Sequence, residues 1–158
     1  MSHVDSSKLL SSPLFTGLAR QEIEYLCSIF TWTQISKGKT VFIENMPGES
    51  LYIINQGAVQ ISQMLAEVEE QTLISLEPGD VFGEMAVIDG GSRLATARIV
   101  EDAVLYSLNR KSFNTLASEK PRLGLQLTLN IVRIFSGKIR GAKKDYCTML
   151  SDSLPRKG

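Results

Sequence analysis

From Thr31 onward the chain is a succession of short runs rich in β-branched and aromatic residues, each cut off by a turn signal. The runs are Trp32 to Ser36, Thr40 to Ile43, Ser50 to Ile54, Ala58 to Ser62, Gln71 to Leu76, Thr96 to Val100 and Ala103 to Asn109. Between them lie Lys37-Gly38-Lys39, Glu44 to Glu49, Asn55-Gln56-Gly57, an acidic hairpin tip at Glu67-Val68-Glu69-Glu70, and Glu77-Pro78-Gly79-Asp80. Segments this short and this regularly punctuated suit strands that pair with their neighbours, and together they predict a sandwich or small barrel. The glycines at 38, 48, 57 and 79 serve turn geometry in that reading.

Helical patterning is confined to the two flanks. Ser11-Ser12-Pro13 has the capping hydroxyl and early proline of a helix start. Ile23, Leu26, Cys27 and Phe30 then recur at helical spacing within a candidate helix from about Ala19 to Phe30, with Gln21, Glu22 and Glu24 facing out. After the β-rich part, Asn109 to Ser118 fits a short helix, and Pro121 opens a longer one to about Lys144. Apolar residues between Leu123 and Phe135 occupy more than one face of that helix. One face suits the sheet, and the rest suits a bound ligand, a second subunit, or burial by its own domain. The expected layout is a flexible N-terminus at 1–12 and a helical cap at 13–30. The β-rich body follows at 31–109, then helices at 109–144 and a polar tail at 145–158.

At 158 residues the chain fits one domain with room for a core, and 43% hydrophobic with 22% charged residues is ordinary for a globular protein. Lys+Arg and Asp+Glu both number 17, so there is no electrostatic footprint for general nucleic-acid binding. The apolar stretch at Leu123–Phe135, interrupted by Gln126, Thr128, Asn130 and Arg133, is too short and polar to cross a bilayer. Residues 1–8 lack a signal-peptide pattern, so a cytoplasmic location is the default. Cys27 and Cys147 have neither CxxC nor metal-ligand spacing and suit free thiols. His3 is the only histidine, which disfavours histidine-based metal sites and Ser-His-Asp or Cys-His catalysis.

One stretch, Phe82 to Ala97, interrupts the β pattern with chemistry. Gly83 and Glu84 precede a short apolar run, Gly90-Gly91 follows, and Arg93 stands before three small or β-branched residues, Ala95-Thr96-Ala97. The first turn of a short helix offers unpaired N–H groups and a positive dipole end to an anion. Arg93 adds a bidentate grip that suits phosphate, while an ionised Glu84 only accepts hydrogen bonds and suits a hydroxyl. A ligand bearing a phosphate beside a sugar hydroxyl satisfies both. An ion pair between Glu84 and Arg93 that merely holds a turn is the structural alternative.

Phe82-Gly83-Glu84-Met85-Ala86, followed at the right distance by Arg93-Leu94-Ala95-Thr96-Ala97, closely resembles the phosphate-binding cassette of cyclic nucleotide-binding domains, of the catabolite-activator and protein-kinase regulatory-subunit type. Pro13-Leu14-Phe15 with Leu18, Pro47 to Ile54, Gly57 and Pro78 to Glu84 resemble that family's flanking motifs, in order, over about Pro13 to Lys143. The resemblance implies a mainly-β fold, an eight-stranded jelly-roll β-barrel with N-terminal helices and a C-terminal lid helix. It implies that Glu84 accepts from the ribose 2′-hydroxyl. Arg93 and the backbone N–H groups of Met85, Ala86 and Ala95 then hold the cyclic phosphate, and Gly83 keeps bulk off the sugar. Ser92 replaces a frequent proline. Leu94 lacks the hydroxyl that cGMP-preferring members often supply there, which favours cAMP over cGMP. No metal or further cofactor is implied.

The residues after Lys144 are too few for a helix-turn-helix domain. The basic run at Lys138, Arg140, Lys143 and Lys144 suits a helix C-terminus. The expectation is therefore a stand-alone bacterial receptor domain, not an enzyme and not membrane-bound. It signals to an unidentified effector protein by moving its C-terminal helix and has a possible homodimer contact through 121–144. The competing expectation is a ligand-free scaffold or dimerisation module.

Overall fold

The computed structural model describes residues 9–65 and 68–153. A one-turn 3-10 helix at Pro13–Phe15 is followed by α1 (Arg20–Ile29). The strands are β1 (Thr31–Ile35), β2 (Thr40–Phe42), β3 (Ser50–Leu65), β4 (Glu69–Leu76), β5 (Val81–Phe82) and β6 (Thr96–Asn109). Helix α2 (Glu84–Asp89) lies between β5 and β6, and α3 (Arg110–Glu119) and α4 (Pro121–Ser153) close the chain. The strands form one antiparallel sheet in the order β1-β6-β3-β4, with β2 also on β6 and β5 also on β3.

Among the described residues six strands stand where the sequence shows seven runs and the resemblance implies eight strands. Two pairs of runs merge, and Val81–Phe82 adds a short strand of its own. Asn55-Gln56-Gly57 and the stretch around Glu101-Asp102 are not turns between strands but irregularities inside two long ones, β3 with 16 residues and β6 with 14. Their ladder shifts register between Ile54 and Val59 and then continues, so backbone pairing bends without ending. Gly57 sits at φ +86 in this bulge, and a Cβ there would lie 2.4 Å from the carbonyl oxygen of Asp102.

The bulge also sets which side chains face which core. Leu51 and Ile53 pack with the helices, while Ile54 packs with Val59 on the opposite face of the sheet. Side chains alternate along a strand, so residues 54 and 59 share a face only because the bulge breaks the period of two. Val59, Leu76, Phe82, Ala97, Ile99, Ala103 and Leu105 complete the core on that face. On the other face Leu14, Phe15, Leu26, Tyr106, Leu108, Phe113 and Leu116 are buried with Leu123, Leu127 and Ile131 of α4.

The terminal elements depart from expectation at their ends. Leu9 is buried, and the Ser12 hydroxyl accepts from the N–H of Leu14 at 3.3 Å, so ordered packing begins before Pro13; residues 1–8 lie outside the described part. Helix α4 does not stop near Lys144 but runs 33 residues to Ser153, which makes the first part of the expected tail helical. Buried Asn130 ties α4 to the N-terminal turn, its Nδ2 donating to the carbonyls of Leu14 at 2.8 Å and Thr16 at 2.9 Å. Cys27 and Cys147 are free thiols. Among the described residues no helix is long and apolar enough to cross a membrane.

Replacing Gly57 by alanine is expected to lower stability by about 2 kcal/mol and the Tm by about 4–8 °C. Positive φ and the approach to Asp102 both oppose a Cβ there. Thermal denaturation by circular dichroism measures it, and an unchanged Tm contradicts the account of the bulge.

Candidate functional site

The approach to the cassette is held by main-chain bonds. Gly79 N–H donates to the Ile54 carbonyl at 2.8 Å, Ile54 N–H donates to the Asp80 carbonyl at 3.0 Å, and the Asp80 carboxylate accepts from Glu77 N–H at 2.8 Å. Val81 and Phe82 then pair with Ile53 and Tyr52 of β3. Gly83, at φ +70, turns the chain into α2. No side chain caps that helix start, and Glu84, Ala86 and Val87 are buried in the first turns. Gly90, at φ +64, ends the helix with its N–H on the Ala86 carbonyl at 2.9 Å.

Arg93 is fixed at both ends. Its N–H donates to the Met46 carbonyl at 2.8 Å and its carbonyl accepts from Asn45 N–H at 2.8 Å, while Ser92 bridges to Pro47. The guanidinium carbon lies 4.0 Å from the centre of the Phe42 ring and 5.8 Å from that of Tyr52, a cation–π arrangement. Phe42, Tyr52 and Phe82 form the aromatic floor, with ring centres 5.1–6.0 Å apart. Nη1 donates to the Gly83 carbonyl at 3.2 Å, and Nε is buried with no partner. The residue is only 6% exposed. Burial pushes its pKa below the ordinary arginine value, opposed by the fields of Tyr52 and Glu84.

The two charges of the cassette do not pair with each other. Among the described residues no carboxylate makes an ion pair with Arg93. Glu84, 4% exposed, is held instead by Lys138 of α4, whose Nζ donates to Oε1 at 3.0 Å and Oε2 at 3.1 Å, and to the Val81 carbonyl at 2.6 Å. Lys138 therefore sits in mid-helix with inward contacts rather than at a helix C-terminus, because α4 continues to Ser153. It follows Leu127, Ile131 and Ile134 at helical spacing on the inward face, and that continuation of an apolar face by a lysine was the available sequence signal.

Gly83, Glu84, Met85, Ala86, Arg93, Leu94 and Ala95 all line one cavity of about 890 Å³, with α4 residues Ile134, Phe135, Lys138 and Ala142 across from them. Leu94 is 65% exposed at the rim. Gly83 does more than leave space for a ligand: a Cβ there would lie 2.6 Å from Arg93 Nη1, and one on Gly48 would lie 2.1 Å from Arg93 Nε. Gly48, Phe42, Tyr52 and Lys138 are the site residues that the motif alone did not single out. Chemically the cavity offers a buried cation unneutralised by a carboxylate, a carboxylate held from the far wall, and largely apolar sides.

Residues 32–120 match the family model described as "Cyclic nucleotide-binding domain", more than half of the chain, and the chain belongs to that family. It is 35% identical over 122 residues to the Cyclic AMP receptor protein of Thermus thermophilus, covering 77% of this chain and 56% of that protein. The crystal structure of the Thermus thermophilus catabolite activator protein superposes with a TM-score of 0.77 at 32% identity, over 87% of this chain and 63% of that one. A cyclic nucleotide-binding domain from Methylobacillus flagellatus shares the fold, with a TM-score of 0.82 at 23% identity over 94% of this chain and 84% of that one. The chain thus spans somewhat more than half the length of its Thermus relative.

Because Arg93 is a buried cation with no carboxylate on it, Arg93→Met is expected to raise stability by about 1 kcal/mol, or about 2–4 °C in Tm. The methionine keeps contact with Phe42 and sheds the desolvation cost. A lower Tm in calorimetry would mean that the guanidinium holds the fold rather than waiting for an anion.

Proposed function

We propose that the cavity binds a cyclic nucleotide, cAMP in preference to cGMP, and that occupancy is passed to a protein partner through α4. One observation carries the reading. Arg93 is buried with an unpartnered Nε and, among the described residues, no carboxylate in an ion pair with it, and it lines a cavity of about 890 Å³, within the range for small-ligand sites. A buried charge without a counter-ion is costly, and a cyclic phosphate supplies the missing one through charge-assisted hydrogen bonds.

In this reading the backbone N–H groups of Met85, Ala86 and Ala95 add to the grip of Arg93 on the phosphate. Glu84 accepts from the ribose 2′-hydroxyl, and the base lies toward the inward face of α4. The name of the Thermus relative supports cAMP, as does Leu94, which has no hydroxyl to offer a guanine. The role is that of a receptor rather than a catalyst, and the receptor unit is the stretch 13–144. The downstream partner is a protein reached through α4.

A second observation favours a homodimer through the same helix. Leu125, Leu129, Val132 and Ile139 are 41–62% exposed. With Ser136 they recur at the alternating four- and three-residue spacing of a coiled-coil seam. Leu123, Leu127 and Ile131 are the buried face, so Leu125, Leu129 and Val132 are the surplus apolar surface expected between Leu123 and Phe135, and Ile139 extends it.

Isothermal calorimetry tests the ligand. Binding of cAMP is expected to be tighter than that of cGMP, and Arg93→Ala is expected to weaken cAMP about 100-fold, the loss of charged hydrogen bonds. No binding of either nucleotide at millimolar concentration overturns the reading. Sedimentation equilibrium tests the seam: the wild type is expected to be a dimer and the pair Val132→Asp, Ile139→Asp a monomer. A wild-type monomer overturns the dimer.

A further inference from the structure

Lys138 spends all its donors on the far side of the cavity. A lysine ammonium has three protons, and Nζ makes three contacts: the Val81 carbonyl at 2.6 Å and the two Glu84 oxygens at 3.0 and 3.1 Å. The anion it holds is sealed, with 5% side-chain exposure, whereas the lysine side chain is 31% exposed. Glu84 thus receives its countercharge from a flexible stem on another element, 54 residues along the chain, rather than from its own loop. Two consequences follow from elementary chemistry. Removing the cation leaves a buried carboxylate without a partner, which is costly. Any other donor that approaches those oxygens meets an ammonium already gripping both.

Resting on the cyclic-nucleotide reading, which places the ribose hydroxyl on Glu84, we infer that Lys138 is the internal occupant of the ribose site. The nucleotide's 2′-hydroxyl loosens the two-oxygen grip of Lys138, and this exchange sets the affinity and the demand for a 2′-hydroxyl. Lys138 is a positioning residue here: it acts through Glu84.

The test is a comparison of two ligands in two proteins, cAMP and 2′-deoxy-cAMP against the wild type and Lys138→Met, by calorimetry. Methionine keeps the length of the stem and removes every donor. With the competitor gone, the ligand hydroxyl becomes the first donor to reach Glu84, so cAMP is expected to bind roughly fivefold tighter, the worth of one hydrogen bond. 2′-Deoxy-cAMP cannot make that bond, and its affinity is expected to stay unchanged. Should the methionine variant fail to fold, Lys138→Gln, which keeps a donor and loses the charge, is expected to shift cAMP alone in the same direction by a smaller factor. Equal changes for both ligands, weaker cAMP binding, or no change for either overturn the role of Lys138 while leaving the receptor reading standing. A wild type that binds neither nucleotide overturns the receptor reading, and this role with it.

Discussion

Seating the Arg93 guanidinium 4.0 Å above the Phe42 ring, out of water and with no ion pair among the described residues, dictates much of what surrounds it. Gly48 and Gly83 have to be glycine because a Cβ on either would fall within 2.6 Å of the guanidinium group. The main chain of Arg93 has to be gripped from both sides by Asn45 and Met46, since the side chain makes a single hydrogen bond of its own, to the Gly83 carbonyl. The aromatic floor of Phe42, Tyr52 and Phe82 draws on β2, β3 and β5, so the sheet must be paired before the cation has a place to lie. A favourable ring contact is worth about 1–2 kcal/mol, well short of the cost of isolating a charge, and the remainder is an uncompensated cost to the fold.

The cassette and its surroundings were legible to different degrees. Gly83, Glu84 and Arg93 could be singled out because they combine unusual backbone freedom with charges inside an apolar stretch, and the cavity gathers all seven predicted positions. Who pairs with whom was not legible. Glu84 and Arg93 are nine positions apart and invite pairing, yet Glu84 takes Lys138 from a helix brought over the cavity by tertiary packing. Linear spacing puts Lys138 on the inward face of its helix but does not name its partner. Gly48 was visible as a turn residue, and only the placement of Arg93 shows that it is also a space requirement.

For the fold, short runs and turn residues were sufficient to place the sheet but not to count its strands. Asn55-Gln56-Gly57 has the composition of a turn and the geometry of a bulge, because the partner strand continues alongside and keeps accepting bonds. Whether a glycine-bearing triplet reverses the chain or merely kinks it depends on that neighbour. The end of α4 was missed for a related reason. Residues past Lys144 are polar and look like a tail, but helix propagation is inexpensive once the first half is anchored by Leu123, Leu127, Asn130 and Ile131.

Helix α4 is about 50 Å long at 1.5 Å per residue. Its buried residues lie in the first half, and Lys138 bonds the helix to the cassette wall. The remaining stretch to Ser153 projects about 22 Å past that point. A rod held this way is a lever with its fulcrum at the cavity wall. A tilt of about 10° at Lys138, no more than side-chain repacking allows, sweeps the far end through about 4 Å. The reach of any tilt at the cavity wall is thus set by the length of helix that follows Lys138.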